Sequence, residues 1–215
     1  MPYSKEHKLQ SKDRILQSAT ELFSRYGFDK VSISQIMKLA RMTHGAFYAH
    51  FESKEALYNA SFLETFRRSR AARLVKGPIS FRNITSKVSD YLNLRYLKDK
   101  SSPGPEAILF NEIGSNHNEI KHLYEEAYER IRKMLERRIT ALGRLNKLPY
   151  AVDKEIIAEK SRAIMASLVG AIAIAKSIET EEEQRNILLA AQKQIFAILG
   201  VNEEDFEQLS SQQFN

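Results

Sequence analysis

The residues whose types and spacing suit chemistry are gathered in one short run. Thr43, His44, Gly45, Tyr48 and His50 lie together, with Ser32 and Ser34 shortly before them and Lys54 shortly after. Hydroxyls, imidazoles and one ammonium in this order make no catalytic constellation. The chain has no Gly-rich phosphate loop, nucleophile elbow or His-Glu metal motif. What these groups can do is exchange hydrogen bonds with an extended polar ligand and bring positive charge to it. Duplex DNA is such a ligand, with base edges in a major groove about 12 Å wide and phosphates along its rims. His44 is the candidate base reader, because a ring N–H can reach an acceptor in that groove. A buried or merely solvated imidazole is the bland alternative. Gly45 would let the backbone come close. Ser32 and Thr43 suit helix caps, where free backbone N–H groups also face anions.

Two short helices are needed to hold these groups. Ser32 followed by Gln35 has the spacing of a reciprocal capping box. Ile33, Ile36, Met37 and Ala40 then form one apolar stripe. Arg41-Met42 reads as the turn, Thr43 as the cap of a second short helix, and Phe47 and Phe51 as its inward anchors. The pattern predicts a helix-turn-helix over residues 32–51. Its floor is a helix from about Ser11 to Tyr26, with Ile15, Leu16, Ala19, Leu22, Phe23 and Tyr26 on the buried face and Gly27 ending it. Residues 1–10 read as a flexible basic arm. Ser53 caps a longer helix to about Val75, whose Arg67, Arg68, Arg70 and Arg73 read as a solvated face. Lys76-Gly77-Pro78 breaks the chain.

With these residues in view, the run Arg14 to Leu57 resembles the DNA-binding domain of the tetracycline-repressor (TetR) family. The resemblance rests on Ala19, Leu22, Phe23 and Gly27, on the Gly45-to-Tyr48 spacing, and on His50-Phe51 before Ser53-Lys54-Glu55. Arg41 stands where the family commonly has Gly, which bears on the turn's geometry. Ala49 stands where many members have a second aromatic residue. The resemblance implies that Tyr48, His50 and Lys54 contact phosphates. It also implies a homodimeric transcriptional regulator, most often a repressor that a small molecule releases from a palindromic operator. A ligand-independent regulator or activator, with a carboxy-terminal domain serving only assembly, is the second expectation.

Charge agrees with that division of labour. The 215 residues carry a net +6, but residues 1–78 hold 14 Lys and Arg against 7 Asp and Glu, and the remainder 19 against 20. The positive excess thus sits with the helix-turn-helix, where phosphate would be met. There is no cysteine, so no disulfide framework, thiolate metal site or thiol switch is expected. The polar first ten residues carry no signal peptide, and no apolar run reaches the roughly 20 residues of a membrane span. The expectation is a cytoplasmic protein, no enzyme, with no cofactor and no metal.

The expected fold is all-α, with about nine helices. A three-helix DNA-binding domain over 11–71 precedes a larger helical ligand-binding and dimerisation domain over 79–200, and 201–215 forms a flexible tail. Helices are predicted from Ser80 to Lys98, Glu106 to Ser115, Asn118 to Leu145, Lys154 to Ile178 and Glu181 to Leu199. Ala163 to Ala175 is apolar nearly all round, so it needs cover on every side. The resemblance implies that the last two helices pair with their symmetry mates. Ala166, Val169, Gly170, Ala173, Ile187, Ala191 and Ile195 are the interface candidates. A core helix of a monomer is the alternative. Tyr91, Phe110, Asn111, His117, Tyr128 and Met165 are candidates for lining a pocket for an apolar or aromatic effector.

Overall fold

A computed structural model describes residues 5–68, 77–98, 111, 118–145 and 148–201. Among these residues the chain is helical, without strand, and divides into two compact units. One contains residues 1–69 and 101–124, the other 70–100 and 125–215. None of the described helices is long and apolar enough to cross a membrane.

In the first unit, α1 (Lys5–Tyr26) buries Ile15, Ala19 and Phe23. It begins before Ser11, so Lys5 to Gln10 are helical turns and not the flexible arm expected for residues 1–10. Tyr26 ends the predicted stripe, yet it is 52% exposed. Gly27 adopts φ 77° and closes the helix with a 2.9 Å bond from its N–H to the Phe23 carbonyl. Phe23 and Phe28 then stack at 6.1 Å, and Tyr58 meets both edge-on, 4.9 and 5.3 Å from the two phenyl centroids. Helix α2 (Ile33–Leu39) has the capping box complete, and it buries Ile36 and Met37.

The predicted second short helix is replaced by a 3-10 turn, His44–Ala46, followed by irregular turns to His50. Thr43 occupies the cap position but its hydroxyl makes no capping bond. Phe47 and Phe51 do turn inward, 6.0 Å apart and nearly fully buried, and they pin the turn to the core. Helix α3 (Lys54–Arg68) starts where the Ser53 hydroxyl accepts from the Ala56 N–H, and it buries Leu57, Tyr58 and Phe62. Tyr124 packs on this helix, 4.7 Å from the Phe62 ring, with its hydroxyl 3.4 Å from that of Tyr58. The Arg67, Arg68, Arg70 and Arg73 side chains lie outside the description, as does most of the predicted Glu106–Ser115 helix.

In the second unit, the stretch read as one helix from Ser80 to Lys98 is two: α4 (Phe81–Tyr91) and α5 (Leu94–Lys98). Leu92 leaves the helical region at φ −94°, ψ 62°. The Asn93 side-chain oxygen accepts from the Tyr96 N–H at 2.8 Å and starts the new helix. Gln192, 1% exposed, donates to the Leu92 carbonyl at 2.6 Å, and its own carbonyl accepts from Ser89. The break is thereby built into the core with its polar groups satisfied.

Helix α6 (Asn118–Arg144) places Leu135, Ile139 and Leu142 in that core, beside a buried Arg138 that donates to the carbonyls of Gly77 and Pro78. Burial lowers the Arg138 pKa from its usual value. Helices α7 (Lys154–Lys176) and α8 (Glu181–Ile198) pack along each other. Asp153 caps α7 by accepting from the Glu155 and Ile156 N–H groups.

Candidate nucleic-acid interface

The turn from His44 to His50 is short and held by two anchors four residues apart, Phe47 and Phe51. Phe47 is fully buried, while Thr43, His44, Gly45 and Tyr48 all face solvent, Tyr48 being 61% exposed. A large aromatic left this open on a fixed turn is available to a ligand. Its ring stands edge-on to Phe47 at 5.1 Å and to His44 at 6.1 Å. No atom lies within 4 Å of where a Gly45 side chain would begin, so the turn presents bare backbone there.

The structure brings four of the eight predicted residues into one place. Ser32, Ser34, His44 and Lys54 line an open concavity of about 430 Å³, together with Asp29 and Lys30. The Ser34 hydroxyl lies 3.4 Å from His44 Nδ1, a contact that steadies the imidazole on the α2 side. Lys54 Nζ rests 4.1 Å above the Phe28 ring, which fixes the cation at the rim of the concavity. Ser32 remains exposed, but its hydroxyl is engaged in the capping box with Gln35. Its side chain therefore serves α2 first.

His50 stands apart from this group. Its Nδ1 is buried with no hydrogen-bond partner, so Nε2 is the ring nitrogen left for a ligand. Burial, then the charges of Lys8 and Lys12, hold its pKa below the usual histidine value. The imidazole is accordingly neutral near pH 7. Lys8 and Lys12, whose charges reach His50, and Lys30, in the concavity, are cations that the sequence reading did not single out. The signal for the first two was their i, i+4 spacing, which carries meaning only if the helix begins early enough to contain both.

Arg41 closes the turn between α2 and the His44–Ala46 segment at φ 54°, the left-handed region that glycine enters without strain. Its own N–H donates to the Lys38 carbonyl at 3.1 Å and Met42 N–H to the Met37 carbonyl at 2.9 Å, while Arg14 Nη2 donates to the carbonyls of Ala40 at 3.0 Å and Arg41 at 3.5 Å. The turn keeps glycine geometry with a non-glycine residue.

The described effector candidates have different surroundings. Tyr91 is buried against Tyr96 in the core of the second unit, Tyr128 is 39% exposed, and Asn111 belongs to the first unit, donating to the Ser24 carbonyl. Phe110 and His117 lie outside the described residues. Met165 lines a cavity among the described residues, shared with Ile84, Val88, Ile131, Leu135 and Leu168. It measures about 30 Å³ and is walled almost wholly by apolar atoms.

Of the interface candidates, Ile195 is fully buried within its own subunit and is withdrawn as a contact to a second chain. Ala166 is exposed, and Val169, Gly170, Ala173, Ile187 and Ala191 are half-buried. Nothing lies within 4 Å of the Gly170 side-chain position, and Ile174 beside this strip is 56% exposed.

Residues 15–61 match the family described as bacterial regulatory proteins, tetR family. The Bacillus subtilis protein described as the uncharacterized HTH-type transcriptional regulator YvdT is 50% identical over 48 residues, 22% of this chain and 25% of that one. The Escherichia coli HTH-type transcriptional regulator UidR is 41% identical over 61 residues, 28% of this chain and 31% of that one. The chain thus spans less than half the length of these curated relatives. The solved structure of reduced Escherichia coli NemR superposes with a TM-score of 0.74 at 16% identity, covering 90% of this chain and 100% of that one. That similarity extends the shared fold through both units.

Proposed function

The chain belongs, through its amino-terminal domain, to the bacterial tetR family of regulatory proteins, and from that premise we propose that it is a homodimeric DNA-binding transcriptional regulator. Each subunit sets its Thr43–His50 turn into a major groove of a pseudo-palindromic operator. The half-sites lie about one helical turn apart, ~34–36 Å centre to centre. Ser34 and His44 face base edges, while Tyr48, His50 and Lys54 hold phosphates and fix the register. The observation that carries this reading is the exposed His44–Gly45–Tyr48 face, pinned from behind by buried Phe47 and Phe51. The match to regulators over the same residues supports it.

The second subunit docks on the strip of Ala166, Gly170 and Ala173, with Val169, Ile187 and Ala191 beside it. The exposed Ile174 and the open space at Gly170 support that choice. The domains of this reading are the DNA-binding part over 11–71 and the dimerisation and effector part over 79–200. Repression relieved by an apolar effector is the favoured mode. The effector would stabilise a state with wrongly spaced reading turns, through a coupling of ~1–3 kcal/mol.

A regulator or activator without an effector is the second reading, and one observation favours it. Among the described residues, the apolar cavity lined by Met165 measures about 30 Å³, far below the roughly 300–1,000 Å³ of ordinary ligand pockets. Thermal melting against a panel of apolar and aromatic compounds separates the two. Specific stabilisation supports the effector, whereas no shift across the panel supports assembly alone. Selection of bound sequences from random duplex DNA tests the shared core of both. A two-fold-related motif supports it, and salt-sensitive binding with no enriched motif removes it.

A further inference from the structure

The early start of α1 brings two cations toward the reading turn. Lys8 and Lys12 are four residues apart and share one face of the helix. Lys12 Nζ lies 5.5 Å from the centroid of Phe51, the residue after His50. Both lysines are exposed. Glu6 and Asp13, the acidic residues of this stretch, fall roughly 100–160° away around the helix, so the face beside His50 is cationic. Among the described residues, no carboxylate forms an ion pair with either lysine. The His50 imidazole, close enough to feel both charges, has one nitrogen sealed in the protein and without a partner.

We propose that Lys8 and Lys12 of α1, with His50, form a second phosphate clamp, separate from the concavity lined by Ser32, Ser34, His44 and Lys54. This rests on the DNA-reading role proposed above. His44 belongs to the first cluster and His50 to the second, so the reading turn runs from one to the other. Each cluster takes a phosphate from a different rim of the groove, and the turn between them is held at the base edges. The lysines read no sequence. They set how firmly and in what register the turn is seated.

The test is fluorescence anisotropy of the full-length protein on a selected duplex and a scrambled one, across a range of salt. The variants are K8Q/K12Q, K8R/K12R and, as a control in the other unit, K160Q. Log affinity plotted against log salt should lose about two units of slope in K8Q/K12Q, about one per lysine, equally on both duplexes. K8R/K12R should keep the wild-type slope, and K160Q should leave it unchanged. An unaltered slope in K8Q/K12Q overturns the clamp while leaving the reading turn in place. A reduced slope that arginine does not restore also overturns it, because charge is then not what the positions supply. Wild-type protein with no preference for the selected duplex would instead remove the DNA-reading role, and the clamp with it.

Discussion

His50 and Arg41 show how single residues in this domain are set by their surroundings. Because burial and two lysines lower the His50 pKa, the unfolded chain takes up a proton first as pH falls. The stability that His50 contributes is whole above about pH 6.5 and is lost as pH drops through the depressed folded-state value. Thermal melts should therefore show a decline below that pH, smaller in His50→Gln. An identical decline in the variant would assign it to other groups. Arg41 carries the cost of a left-handed backbone, on the order of 1 kcal/mol. Arg41→Gly should stabilise the domain by up to about that amount, measured as the denaturation midpoint. A loss of stability would mean that the side chain holds the turn. The sequence had marked this position as a departure from the family, but it did not reveal the support from Arg14, which comes from 26 residues away.

At the level of elements, close packing leaves little room between α6 and the segment leading into α7. A side chain at Gly143 would begin 2.4 Å from Val152 Cγ2, so this β-branched neighbour, restricted at χ1, would have to shift. Gly143→Ala should cost about 1–3 kcal/mol by overpacking, and Gly143→Ala with Val152→Ala should recover part of it. Equal melting temperatures for the two variants would contradict that picture. The helices legible in the sequence were those with local signals: Gly27 ending α1, the Ser32–Gln35 box, and the long stripe of α6 from Ile120 to Leu142. The break at Leu92 was not legible, because its carbonyl is satisfied by Gln192, a hundred residues away. The second short helix is present only as a 3-10 turn, for a similar reason. Phe47 and Phe51 have helical spacing and share a 3.0 Å bond from the Phe51 N–H to the Phe47 carbonyl, but the bonds before it are of the tighter three-residue kind, and the burial of both rings adds to what fixes the turn.

For the whole molecule, the charge asymmetry and the apolar run of α7 indicated a DNA-facing unit and an assembling one. They were silent on a pocket, since Tyr91, Asn111, Tyr128 and Met165 look alike as sequence whether they line a cavity, fill a core or face solvent. The Ala166–Gly170–Ala173 strip makes a prediction at this scale. Gly170→Arg introduces a bulky cation where no atom now lies within 4 Å, so the subunit should still fold. Light scattering should then give the mass of a single chain, with operator affinity falling at least tenfold as the two half-sites lose their linkage. A dimer of unchanged mass would place the interface elsewhere.

The central claim is that the His44 turn reads bases. The direct measurement compares wild type and His44→Ala on the selected operator and on scrambled DNA, at one fixed salt concentration. Operator affinity should fall by roughly ten- to a hundredfold, as expected for about 1–3 kcal/mol of base discrimination, with scrambled-DNA affinity nearly unchanged. Equal losses on both duplexes would contradict base reading and make His44 one more backbone contact.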